Sequence, residues 1–153
     1  MTRLASSSCA VVLALAVGAC GGVSKEDYAR DLDEVCADIE ATTERIGQAE
    51  VDNPAELSNQ LGDIRTAIRD GIDRMKDIER PEGDDGEKAD EYVTKLEQTL
   101  NQQVIPALDE LETAVRQKNQ AKIRAAATRL QAIDEEDTDR LAKDLGADEC
   151  AEG

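Results

Sequence analysis

The stretch PAELSNQLGDIRTAIRDGIDRMKDIERP, residues 54–81, decides how the rest of the chain is read. Leu57, Leu61, Ile64, Ile68, Ile72, Met75 and Ile78 recur at steps of three and four, the period of an α-helix with one apolar face. Asn53 stands where an N-cap is needed, and Pro54 takes the first helical position, where a missing N–H leaves no bond unmade. Pro81 forces its predecessor out of the helical region, so the helix is expected to stop near Glu79. Gly71 lies on or beside the buried face. It costs about 1 kcal/mol relative to alanine, but it lets a neighbouring helix come close.

The same period extends in both directions. Upstream, Ser24-Lys25-Glu26-Asp27 has the form of a capping box with Asp in the acidic place. Tyr28, Leu32, Val35, Ile39 and Ile46 then predict a helix over about 25–49. Downstream, Pro81 to Gly86 is a loop, and Tyr92, Leu96, Leu100, Val104, Leu108, Leu111 and Val115 predict a third helix over about 87–117. Pro106 falls inside it and removes the bond to the carbonyl of Gln102, so a kink between 102 and 106 is expected. A fourth helix runs from an N-cap at Asn119 to a stop at Gly146, marked by Ile123, Ala127, Leu130, Ile133, Leu141 and Leu145. Asp134 to Asp139 weakens its stripe in the middle. Four amphipathic helices and no strand predict an all-α fold, a four-helix up-down-up-down bundle.

A segment of another kind precedes the bundle. Arg3 gives a positive start, Leu4 to Val17 is mostly apolar, and Val17-Gly18-Ala19-Cys20 ends the run. This is the layout of a secretory signal, and the cysteine after Val17, Gly18 and Ala19 makes the four residues a lipobox with Cys20 as the lipidation site. The uninterrupted apolar part is shorter than the roughly 20 residues that span a bilayer. The expected organisation is therefore a lipoprotein signal peptide over 1–19, a lipidated Cys20 with a short tether to residue 23, and a helical bundle domain over 24–153. Localisation follows: a cell membrane, lipid-anchored, on the extracytoplasmic face.

Of the four cysteines, Cys9 leaves with the signal and Cys20 takes the lipid. Cys36 and Cys150 remain in an oxidising compartment and are expected to pair. The bridge would join the start of the first helix to the end of the last, which an up-down-up-down bundle brings together.

Composition excludes more than it selects. The chain of 153 residues carries 18 Lys plus Arg against 35 Asp plus Glu. That balance argues against nucleic acid, whose affinity comes from cations on phosphates, and against anionic lipid surfaces. There is no His, Trp or Phe, and Tyr28 and Tyr92 are the only aromatics. Nucleophile–imidazole pairs and His-ligated metals are excluded with them. Two acidic clusters stand out: Glu82, Asp84, Asp85, Glu87 and Asp90, and Asp134, Glu135, Glu136, Asp137 and Asp139. Neither follows the spacing of a calcium loop, so both read as solvated surface. No catalytic residue, metal ligand or cofactor is assigned.

Ser24-Lys25-Glu26-Asp27-Tyr28 followed by Cys36, Arg80-Pro81 ahead of the third helix, and the ending Leu145-Gly146-Ala147-Asp148-Glu149-Cys150 resemble a broad set of small actinobacterial helical lipoproteins. Most of these are uncharacterised proteins with two cysteines in the mature domain. Relatives often carry a double proline where this chain has Pro81 alone. The resemblance implies address and fold and supplies no site residues. The functional expectation is a non-catalytic binding or interaction module of the cell envelope, anchored by the lipid on Cys20, with another envelope protein as a possible partner. The alternatives are a structural envelope-spacing protein or weak divalent-cation binding by the acidic clusters.

Overall fold

A computed structural model describes the chain over residues 22–47 and 53–151. The expected signal segment 1–19, the expected lipobox Val17, Gly18, Ala19 and Cys20, and Cys9 lie outside the described residues. No described helix is long and apolar enough to cross a membrane. The described residues form five helices and no strand.

Helix α1 spans Lys25–Gly47. The Ser24 hydroxyl accepts the Asp27 N–H at 3.1 Å and donates to the Asp27 carboxylate at 2.9 Å. The acid thus meets the cap's hydroxyl, where a full capping box would have it meet the backbone N–H. Helix α2 spans Pro54–Asp77, with the Asn53 side chain accepting from the N–H groups of Ala55 and Glu56. Its C-terminal end is closed by Arg80, whose guanidinium donates to the carbonyl of Met75 at 2.9 Å and to that of Ile78. Cations suit this end of a helix, where carbonyls lack intrahelical partners.

Helix α3 is continuous but not uniform. It begins at Asp84, three residues before the expected start, behind Gly83 at φ 73°. An α-helical part Asp84–Thr99 passes into a π-helical turn Leu100–Val104 and then into Ile105–Arg116. The Ile105 N–H reaches back five residues to the Leu100 carbonyl. The turn before Pro106 is thereby wider, which relieves the crowding that a proline ring imposes on an unbroken helix.

The expected fourth helix is two helices, α4 (Gln120–Gln131) and α5 (Glu136–Leu145). The four-helix count is corrected to five for a physical reason. A straight helix would turn Asp134 and Asp137 onto the buried stripe, where carboxylates without partners are costly. Asp134 instead accepts the Glu136 N–H at 3.0 Å, and the chain restarts with Glu135 accepting the Asp139 N–H at 2.9 Å. Asn119 caps α4 through the Lys122 N–H, and Gly146, at φ 84°, ends α5 in the left-handed conformation that suits glycine.

Side-chain pairs fix the relative directions. Asp38 of α1 meets Arg74 of α2, Glu110 of α3 meets Arg129 of α4, and Lys95 of α3 meets Asp137 of α5. α4 packs on the second half of α3, and α5 packs on the first half and on α1. The core is correspondingly in two parts. One gathers Tyr28, Leu32, Val35, Ile72, Met75, Tyr92, Leu141 and Leu145. The other, smaller part centres on Leu61, Ile68 and Leu108.

Cys36 and Cys150 are joined in a disulfide, with Cα atoms 5.3 Å apart. Cys150 lies in a single 3-10 turn, Glu149–Ala151, after α5. The Asp33 carboxylate holds that turn against α1 by accepting the N–H groups of Glu149 at 3.0 Å and Cys150 at 3.3 Å.

Candidate binding groove

Neither acidic cluster converges. Asp85 faces Lys25 at 3.7 Å and Asp90 faces Arg80 at 3.0 Å. Asp137 meets Arg140 at 2.7 Å and Lys95 at 3.4 Å. Among the described residues, no group of three or more acids or cysteines is placed to hold a metal ion. The clusters are surface charge dispersed among local cations.

The concavity with chemical character lies elsewhere. The break at 132–135 divides the last layer of the bundle between the two halves of α3. Opposite that break, the middle of α1 rests on α2, and a groove of about 610 Å³ opens between α1, α2 and α3. Its floor is apolar: Ile39 from α1, Ile68, Ile72 and Met75 from α2, and Tyr92, Leu96, Leu100 and Val104 from α3. Leu100 and Val104 are the two ends of the π-helical turn, so the irregularity next to Pro106 forms part of the wall. The disulfide and Glu149 close one end. A volume of this size lies within the range of small-ligand sites, which are mostly apolar with a few placed polar groups.

The charged groups here are all acids, accompanied by the hydroxyls of Thr43 and Thr138. Glu40 and Glu44 come from α1, Glu135 and Asp139 from the start of α5, and Glu149 from the turn that the disulfide holds on α1. None of the five makes an ion pair with a described residue. Glu135 is exposed overall, but partial desolvation of its carboxyl, reinforced by the nearby Asp139, raises it above the ordinary glutamate value of 4.5. Tyr92 is 2% exposed, and burial pushes its phenol well above the ordinary value of 10.0. Its hydroxyl makes no hydrogen bond to another described residue.

Sequence periodicity marks every one of these floor residues, but only as core. It does not show that the layer meant to cover them is interrupted. A second feature was not visible in the sequence either. Glu112, 8% exposed, accepts the Ser58 hydroxyl at 2.9 Å and pairs with Arg65 at 2.7 Å and Arg116 at 3.2 Å. It lies between α2 and α3 outside the groove and serves to join the two helices.

Comparison of the chain with protein-family models, with curated proteins and with solved structures gives no match.

Proposed function

We propose that this is a lipid-anchored binding protein of the extracytoplasmic membrane face, held by Cys20, whose groove between α1, α2 and α3 receives an apolar ligand. The observation that carries the reading is the groove itself. A bundle of this size has reason to bury Ile39, Leu96, Leu100 and Val104, yet each is only half-buried beside an open concavity. Exposed apolar surface of this kind marks a place where something else binds. The lipobox supports the anchoring half of the proposal. Two or more acyl chains hold a protein on a membrane, at about 0.8 kcal/mol per buried methylene. The disulfide supports an oxidising compartment. With no His in the chain and no metal-holding group among the described residues, binding without chemistry accounts for the site.

Native mass spectrometry of the protein taken from its own membranes tests the binding half. A discrete non-covalent adduct is expected on the parent and not on Leu100→Trp, which fills the groove. Its absence from both would overturn the reading. Cell fractionation tests the anchor separately: Cys20→Ala is expected in the soluble fraction, and unchanged membrane association would refute the lipobox.

A further inference from the structure

We infer that the occupant of the groove is a small cationic amphiphile, an apolar body carrying a positively charged group. The inference rests on the groove being a binding site and adds the chemistry of what enters it.

The argument is one of charge complementarity. Three other sizeable concavities lie on the described surface, and each is lined by at least one cation: Lys95 in the first, Lys122 in the second, Arg69 and Lys76 in the third. The apolar groove has no described Lys or Arg in its lining, although five acids line it. Elsewhere on the bundle, acids such as Asp38, Glu97 and Glu110 meet a cation from a neighbouring helix. Among the described residues no such cation faces the groove, which leaves its acids to solvent or to an occupant. The carboxylates also line a cleft with an apolar floor, an arrangement that concentrates the field within it. An anionic amphiphile would bring its charge against these acids, and a neutral one would leave them as they are.

Size restricts the class further. The groove runs along α1 from Cys36 to Glu44. At 1.5 Å per helical residue this is roughly 12 Å, about the length of an eight-carbon chain and its head group.

Three amphiphiles that share an octyl chain test this: octyltrimethylammonium, octyl glucoside and octyl sulfate, each below its micelle concentration. The protein is the full chain with its Cys36–Cys150 disulfide and with Cys20→Ser to prevent acylation. With only two tyrosines and no other aromatic residue, the Tyr92 ring signals in a nuclear magnetic resonance titration report occupancy directly. The cation is expected to bind about tenfold more tightly than the glucoside, the scale of a few partly exposed charge pairs, and the sulfate more weakly than either. The margin should shrink as salt is raised. In the triple variant Glu40→Gln, Glu44→Gln, Glu135→Gln, the cation and the glucoside should bind within about twofold of each other, with glucoside affinity unchanged. Equal affinities for cation and glucoside in the parent would overturn this inference and leave the groove reading standing. Failure of all three to bind, or binding undiminished by Leu100→Trp, would overturn the groove reading itself.

Discussion

Glu112 shows how a single buried charge is tolerated in an acidic protein. Hydrogen bonding from Ser58, followed by the charges of Arg65 and Arg116, lowers its carboxyl below the ordinary 4.5 in spite of burial. A depressed folded-state value means that its contribution is fully present above the unfolded value and is lost as the pH falls through the folded one. Glu112→Gln keeps an oxygen for Ser58 but leaves Arg65 and Arg116 without this anion. It is expected to cost about 1–3 kcal/mol near neutrality. The difference should narrow as the pH falls below the ordinary glutamate range, because protonation removes from the parent the charge that the variant lacks. Urea denaturation near neutrality and below that range checks this, and an equal gap at both would mean that the charge is not what stabilises. At this scale the sequence is partly legible. Gly71 is identified as a point of close approach, and an added Cβ there would collide with the Ile39 side chain. Cys36 and Cys150 are identified as a pair. Glu112 is not, because i,i+4 spacing reveals Arg116 as a partner but cannot reveal Ser58 or Arg65 on another helix.

Helix α3 shows what a proline can do short of breaking an element. With the preceding turn opened to π geometry, Pro106 stands near the start of a new α-helical run, a position where its missing N–H is tolerated. Pro106→Ala is therefore expected to fall within about 1 kcal/mol of the parent in chemical denaturation. A gain of about 3 kcal/mol, the penalty of a proline in an unbroken helix, would mean that the ring is strained against the Gln102 carbonyl. Helical period located all the elements but missed the division of the last one. Ile133 and Leu141 keep the expected spacing across the acids, and a pattern of apolar positions is blind to a carboxylate that prefers to cap. Asp134, bonding the Glu136 N–H, turns one helix into two. That same break leaves the groove uncovered, so the element that resisted prediction is the one on which the candidate site depends.

At the scale of the whole molecule, the all-α class and the return of the last helix to the first follow from apolar period and short connections, which are local signals. The groove does not follow, because it is a difference between how much apolar surface the helices offer and how much the others cover, and no single segment carries that information. The disulfide bears on the mechanics of the chain. Residues 36 and 150 are 114 positions apart in sequence, so α2 to α5 form a closed covalent ring, and only the first part of α1 and the last residues lie outside it. A load applied between Gly22 and Ala151 can therefore extend the oxidised chain by roughly 50 Å, at about 3.5 Å per residue, however much of the bundle has come apart. Once the bridge is reduced, the same load can draw out on the order of 450 Å. Optical-trap extension with and without reductant should show these two lengths, and a long extension in the oxidised protein would mean that the ring is not closed. A protein pulled from its N-terminal end would thus give way by a short, fixed distance and stop, with its groove still inside the ring.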